Sequence, residues 1–204
     1  MFTFILKGGP VMVPIILGSI FGLAIVLAKF WVFRRMLMFN TFEFSQKFFK
    51  DLKSNQIKEA LELCNKNINY PIAAVFKVGL ERRNLPLDRL ERILEQVGNN
   101  QIQKLEKYLG ALVSIIGIEP LLGFLGTITG LIRAFAAWEH VGANVTVSIL
   151  AAGIYEAMIT TAAGLIVAIP LYLCHNYFIS RIKLISNELT NHGIQLLEAL
   201  AELK

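Results

Sequence analysis

Apolar residues along the chain gather into three long blocks, which are separated by a polar region and a short connection. The blocks cover residues 11–33, 108–137 and 148–178. An α-helix rises about 1.5 Å per residue, so about 20 apolar residues cross the hydrocarbon core of a bilayer. Each block is at least that long, and the pattern predicts an all-α, polytopic membrane protein with three transmembrane helices.

The polar region between the first two blocks, residues 34–107, has apolar positions at helical spacing. Turn signals at 65–71 and 84–86 divide it into several helices. These features predict a cytoplasmic helical domain, whose last helix is expected to run on into the second span. Because the second block is longer than the ~20 residues that cross a bilayer, its first turns are expected to project into the cytoplasm as an extension. Residues 179–204 keep the helical spacing and predict a cytoplasmic C-terminal helix, either separate from the third span or continuous with it.

Basic residues indicate the side of the membrane on which each segment lies. Of the 20 lysines and arginines, 14 fall within residues 34–108, whereas residues 1–10 hold only Lys7 and residues 138–147 hold none. By the positive-inside rule, 1–10 is a short periplasmic or interfacial segment and 138–147 is a periplasmic loop. Because the net charge of +5 follows the membrane and not a compact patch, it does not indicate nucleic-acid binding.

The polar residues that carry enzymatic or metal chemistry are scarce and dispersed. The two cysteines and three histidines stand far apart, without the spacing of metal ligands. The sequence has no HExxH motif, nucleophile elbow or phosphate loop. The expectation is therefore a protein with no cofactor, no metal site and no enzymatic activity.

Small residues form stripes along the second and third spans, where they let helix backbones approach closely. The packing positions are Gly123, Gly126, Gly130, Gly153 and Gly164, and the two prolines inside the spans, Pro120 and Pro170, are candidate kinks. Taken alone, these stripes predict only a tightly packed pair of helices.

Glu156 stands within an otherwise apolar stretch of the third span. A charged side chain there costs at least ~2.5 kcal/mol, so it requires a partner, water or a functional task. If Pro120 and Pro170 lie at one depth, Arg133 and Glu156 lie ~20 Å and ~21 Å above them and form a candidate ion pair. A structural ion pair and an ion-handling carboxylate are both open interpretations of Glu156.

Threonines surround this carboxylate in both spans. Counted from the same prolines by the helical rise, Thr127 lies ~10 Å and Thr161 ~13 Å above them. Their hydroxyls are therefore expected to share a level and to bracket a passing ion. At ~100° per residue, Thr160 lies ~40° and Thr161 ~140° from Glu156 around the helix. We therefore hypothesise that Glu156 and Thr160 face a central lumen while Thr161 faces a neighbouring helix. The candidate ion pathway is Thr127, Glu156, Thr160 and Thr161.

Two motifs in these spans resemble the MotA/TolQ/ExbB proton-channel family. The second span reads EPLLGFLGTITGLIRAF and the third reads GIYEAMITTAAGLIVAIP. Residues 7–12, 29–31 and 71–80 are also similar to the corresponding family segments, so the likeness covers nearly the whole chain. Three spans with the N-terminus outside favour the ExbB/TolQ branch over the four-span flagellar stators.

The resemblance implies a pentameric ring of this subunit in the bacterial inner membrane. The ring would enclose two copies of an ExbD- or TolR-like single-span partner with a membrane aspartate, and it would act on a TonB- or TolA-like envelope-spanning protein. In this comparison Thr127 and Thr161 match the family's threonines beside that aspartate, and Glu156 matches the glutamate that faces the pore. The transported ion, H⁺ or Na⁺, is left open.

The chain departs from the family pattern at two places. Glu119 stands before Pro120, where the family usually has alanine, and Ala28 precedes Lys29 where an acidic-basic pair is usual. Glu119 is expected either to add a charge at the inner mouth or to be solvated. These departures leave the subfamily and the energised process open.

The expected function is that of an ion-channel or stator subunit in an inner-membrane motor. Such a motor would use the proton or sodium motive force to energise outer-membrane transport or other envelope processes. A secondary transporter of a small solute is an alternative, although three spans provide no inverted repeat. A scaffold that only organises helices is another alternative, favoured by the glycine stripes and opposed by Glu156.

Overall fold

The computed structural model describes residues 8–141 and 147–203. Most of the predicted periplasmic segment 1–10, and residues 142–146 of the predicted periplasmic loop, lie outside this part of the chain. Every regular element in the described part is a helix: α1 (Met12–Leu37), α2 (Thr41–Lys53), α3 (Ile57–Lys66), α4 (Pro71–Glu81), α5 (Leu87–Glu106), α6 (Leu109–Val141) and α7 (Val147–Glu202).

Three helical stretches are long and apolar enough to cross a membrane. They are Met12–Leu37, which is α1, Leu87–His140, which contains nearly all of α6, and Ala151–Glu202 within α7, and each contains most of one of the three predicted apolar blocks. The prediction of an all-α chain with three candidate spans is therefore confirmed.

The chain divides into two compact units, which are described separately below. Unit 1 comprises Met1–Lys29 and Tyr108–Tyr177 and holds the three candidate spans. Unit 2 comprises Phe30–Lys107 and Phe178–Lys204, and so contains α2 to α5 with the last part of α1 and the C-terminal part of α7.

Unit 2 is built on an aromatic and aliphatic core. The rings of Phe48 and Phe76 have centroids 4.2 Å apart, and both side chains are fully buried. Leu196 on α7 joins the same cluster, so the C-terminal helix is part of this core. Local signals fix the helix starts: the side chain of Asn40 accepts a hydrogen bond from the backbone N–H of Glu43 (3.2 Å). The helical domain that the periodicity predicts thus has a closed core of its own.

The boundary between α5 and α6 differs from the sequence-based expectation. Instead of running on into the second span, α5 ends at Glu106, and Tyr108 adopts a left-handed conformation with φ of 69°. A left-handed residue cannot continue a right-handed helix, so the chain starts a new helix at Leu109. The expectation that the last helix of the polar region runs on into span two is wrong for this reason, whereas the cytoplasmic projection of the first turns of span two stays a prediction.

Neither internal proline interrupts its helix. Pro120 lies within α6 and Pro170 within α7, and α7 continues through residues 178 and 179 to Glu202. A proline removes one backbone hydrogen bond, and transmembrane helices tolerate this where neighbouring helices or local adjustments compensate. The third span and the C-terminal helix are therefore one element.

Candidate functional site

The centre of unit 1 is a close contact between α6 and α7 that only glycine permits. A Cβ atom built on Gly123 would lie 3.0 Å from the carbonyl oxygen of Thr160, and one built on Gly130 would lie 2.7 Å from that of Gly153. On the opposite helix, a Cβ on Gly153 would lie 2.7 Å from the Cβ of Ala134. Because these contacts are with backbone atoms and a rigid methyl group, no rotamer change can relieve them. We call this contact the glycine seam.

The seam has two further contacts, one between the levels of Gly123 and Gly130 and one nearer the N-terminal end of α6. A Cβ on Gly126 would overlap the side chain of Thr160, and one on Gly164 would overlap the backbone carbonyl of Glu119. All five glycines that the sequence assigns to helix packing therefore face the partner helix.

The hydroxyls of Thr160 and Thr161 are both used inside the seam. Thr161 Oγ1 donates a hydrogen bond across the helix pair to the carbonyl oxygen of Gly123 (2.9 Å), and Thr160 Oγ1 donates to the carbonyl of Ala157 on its own helix (2.9 Å). Thr160 is fully buried, because its side chain fills the groove that Gly126 leaves open. The expectation that Thr160 faces a lumen beside Glu156 is therefore wrong.

Thr127 lies on a different level from Thr161. Its hydroxyl donates to the carbonyl of Phe124 on its own helix (2.6 Å), whereas Thr161 is level with Gly123, one helical turn away. The depths counted from the two prolines are wrong, because Pro120 and Pro170 do not lie at one level. Gly164 packs on Glu119, which leaves Pro170 ~9 Å further along α7.

Arg133 and Glu156 form an ion pair between α6 and α7. Arg133 NH1 lies 2.6 Å from Glu156 Oε1, and the side chains are 50% and 15% exposed, respectively. They line an open pocket of about 590 Å³ together with alanines of both helices and Tyr155. The carboxylate is thus paired and still accessible from one side.

A third segment, the turn before α1, lies directly on this ion pair. Gly9 has a left-handed φ of 66°, and a Cβ built there would lie 3.1 Å from Arg133 NH1 and would overlap Glu156 Oε1. Any larger residue would therefore displace the pair. Gly9 is not among the sequence-predicted site residues, because the Gly-Gly-Pro run indicates only a turn and the residues that Gly9 contacts lie more than 120 positions away.

Glu119 is enclosed among the spans of unit 1. The side chain is 1% exposed, and its Oε2 atom has no hydrogen-bond partner among the described residues. The expectation of a solvated carboxylate is therefore wrong, because α6 turns this face towards α1 and α7.

The fold and site define an all-helical, multi-pass membrane protein in which an ion pair and a threonine hydrogen bond join two spans at the glycine seam. Residues 67–191 match the MotA/TolQ/ExbB proton channel family. The chain belongs to this family, which is one of proton channels and not of enzymes.

Individual relatives place it in the ExbB/TolQ branch, as the motifs predict. It is 30% identical over 177 residues to the ExbB-like biopolymer transport protein 1 of Synechocystis sp., covering 86% of this chain and 69% of the relative. An ExbB homologue from Methanothermobacter thermautotrophicus is 29% identical over 180 residues, with 86% and 62% covered. TolQ of the Tol-Pal system of Haemophilus influenzae is 32% identical over 100 residues, with 49% and 43% covered.

Proposed function

We propose that this chain is the ion-conducting stator subunit of an inner-membrane motor driven by the proton or sodium motive force. Five copies form a ring around two single-span partners of the ExbD/TolR type, and the motor energises an envelope-spanning protein of the TonB/TolA type. The observation that carries the proposal is the pair of polar groups at the α6–α7 contact, the ion-paired Glu156 and the hydroxyl of Thr161, in a member of a proton-channel family. No metal or cofactor takes part.

The distribution of basic residues supports an orientation with the N-terminus in the periplasm. Unit 2 contains most of the lysines and arginines, as expected for a cytoplasmic domain. In this orientation the Arg133–Glu156 pair lies towards the periplasmic side and Thr161 lies deeper in the membrane.

The ion pair defines the first step of the proposed pathway. An incoming ion reaches the carboxylate of Glu156 from the open pocket and replaces Arg133 as its counter-ion. It then passes the level of Thr161, five residues or ~7.5 Å further along α7, to an acidic residue of the partner. Neutralising that residue biases rotation of the partner within the ring.

The energetics require several ions for each mechanical step. One elementary charge that crosses 100 mV releases ~2.3 kcal/mol. A ring of identical subunits meets this requirement by repeating the same transfer at each protomer.

A scaffold without ion transfer is the second candidate, and a specific contact favours it. The Arg133–Glu156 pair at 2.6 Å satisfies both charges, so Glu156 needs no ion for its stability. The two functions differ in what happens when Glu156 loses its charge.

Ion flux in vesicles tests the proposal. The chain is co-expressed with its ExbD-like partner, and the purified complex is weighed by native mass spectrometry and reconstituted with an internal pH dye. We expect five copies with two partners, and a flux under an imposed potential that falls at least tenfold in Glu156→Gln and Thr161→Val. Sodium in place of the proton gradient identifies the ion.

Thr190→Val is the matched control. Its hydroxyl donates to Ser186 on the exposed, C-terminal part of α7, so this variant should conduct like the wild type. Equal flux in the wild type, Glu156→Gln and Thr161→Val, with the assembly intact, would contradict ion conduction past Glu156 and Thr161 and would favour the scaffold.

A further inference from the structure

Glu119 is a buried carboxyl group that the proposed ion pathway does not use. It lies ten residues, or ~15 Å, along α6 from Leu109, within the apolar stretch that crosses the membrane. Its side chain is 1% exposed and Oε2 lacks a hydrogen-bond partner in the part of the chain that the structure describes. A buried polar group of this kind requires an explanation, because unpartnered groups are rare in folded proteins.

Two glycines on different helices make room for this residue. A Cβ on Gly18 of α1 would overlap Oε1 of Glu119 and would lie 3.8 Å from the Cγ2 of Ile115. A Cβ on Gly164 of α7 would overlap the backbone carbonyl of the same residue. The carboxyl group therefore occupies the space that the missing side chain of Gly18 leaves, at the meeting point of all three spans.

Titratable residues on these helices are far from the carboxyl group. Lys29 is eleven residues from Gly18 on α1, a distance of ~16 Å along the helix axis. The nearest titratable residues on α7 are eight residues, or ~12 Å, from Gly164. Among the described residues, the titratable groups that flank this site along the three helices are Lys29 on α1, Glu156 and Tyr172 on α7, and Arg133 and Tyr108 on α6 or directly before it. The nearest of the described basic residues, Lys29, is thus ~16 Å from the level of the carboxyl group along its helix.

We propose that Glu119 is a proton-binding site in the interior of unit 1, separate from the Arg133–Glu156 pair. Because the group is enclosed by three helices and its Oε2 has no hydrogen-bond partner among the described residues, it is held as the neutral carboxylic acid, with the proton on one of its two oxygens. A proton fits better than a metal cation, because a cation would require several further oxygen ligands, whereas Gly18 and Ile115 offer hydrogen and carbon atoms. This proposal does not depend on ion conduction past Glu156 and Thr161.

Infrared difference spectroscopy of the full-length complex in lipid tests this proposal directly. A protonated carboxyl group has a C=O stretching band that is separate from that of a carboxylate and shifts in D₂O. At neutral pH we expect this band in the wild type, its loss in Glu119→Gln, and its retention in Glu156→Gln. Glu139→Gln, which changes an exposed carboxylate on the same helix, is the matched control and should keep the band.

Identical carboxylic-acid bands in the wild type and in Glu119→Gln would overturn the proposal, because the residue would then be ionised. Glu119→Ala provides a second comparison in case the glutamine variant does not fold, since alanine needs no hydrogen-bond partner in this space. Loss of the band in this variant supports the site, and an unchanged band excludes it. Because the measurement reads protonation and not flux, its failure is distinct from failure of the proposed channel function.

Discussion

At the scale of single residues, Glu156 and Glu119 are two carboxyl groups of the spans with opposite surroundings. Glu156 has Arg133 at 2.6 Å and an open pocket beside it, whereas Glu119 has a glycine of α1 next to one oxygen and no hydrogen-bond partner on the other. Intramembrane carboxyl groups are costly in either case. Their surroundings therefore differ: Glu156 is paired and open on one side, whereas Glu119 is enclosed on all sides.

Lys29 shows how burial can differ from a prediction based on residue type. A lysine at the end of the first span is expected to snorkel towards the headgroups, beside exposed Trp31. Its side chain is instead only 7% exposed. The departure from the family pattern at Ala28–Lys29 therefore concerns an enclosed position.

Cys64 provides a test of burial in unit 2. It is fully buried in the core, and this burial raises the pKa of its thiol from 9.0 to about 12, while the positive charge of Lys77 acts in the opposite direction. Only the thiolate reacts with alkylating reagents, so we expect modification at pH 8 to be at least 100-fold slower in the folded than in the unfolded protein. Peptide-resolved mass spectrometry separates this reaction from that of Cys174.

The same shift gives a direction for stability. A thiol whose pKa is raised by folding favours the fold fully below pH 9, and this contribution disappears as the pH rises from about 9 to about 12. Cys64→Ala should therefore lessen the loss of stability between these pH values. Rapid alkylation of Cys64 in the folded protein would show that the core around it is open.

At the scale of elements, the glycine seam determines how α6 and α7 meet. Gly130→Ala places a Cβ 2.7 Å from the carbonyl oxygen of Gly153 and 3.0 Å from the Cβ of Ala157. Because backbone atoms cannot move aside, we expect the variant to lose about 1–3 kcal/mol of stability. Denaturant unfolding in detergent measures the loss.

Gly117→Ala is the matched control on the same helix. A Cβ at this position meets nothing within 4 Å, and alanine favours helix over glycine by up to about 1 kcal/mol. The control should therefore be neutral or more stable. Equal destabilisation by both substitutions would mean that the seam does not hold the two helices together.

The helices are predictable from the sequence, whereas the positions of the helices along one another are not. Apolar length is sufficient for the three spans, since crossing a bilayer requires about 20 apolar residues. The left-handed position at the break is a tyrosine and not a glycine, so a continuous helix is the natural expectation. The relative level of Thr127 and Thr161 depends on where Gly164 packs on α6, which is a tertiary contact and not a sequence pattern.

The candidate site is likewise predictable from the sequence only in part. Residue type alone selects Glu156 and Thr161, because polar groups in apolar spans require partners. The contacts of Gly9 with Glu156 and of Gly18 with Glu119 join residues about 100 or more positions apart. Glycine has no side chain whose chemistry would indicate such a contact. The roles of Gly9 and Gly18 are therefore visible only in the structure.

At the scale of the whole molecule, the chain forms two units with separate cores. Unit 1 is held by close backbone contacts between spans, whereas unit 2 is held by large buried rings, such as those of Phe48 and Phe76. The seam depends on contacts within unit 1, and the aromatic core depends on contacts within unit 2. A substitution in one core should therefore lower the stability mainly of its own unit.

Phe48→Ala tests this separation. Phe48 is fully buried, so removing its ring should cost about 3–5 kcal/mol, whereas Phe42→Ala, at a residue that is 69% exposed, should change stability by less than about 0.5 kcal/mol. We expect hydrogen exchange of Phe48→Ala in detergent to accelerate in α2, α3 and α4 and to remain unchanged in α6 between Gly123 and Gly130. Acceleration in that part of α6 as well would show that the two units unfold as one cooperative body, because the glycine contacts of unit 1 would then depend on the aromatic core of unit 2.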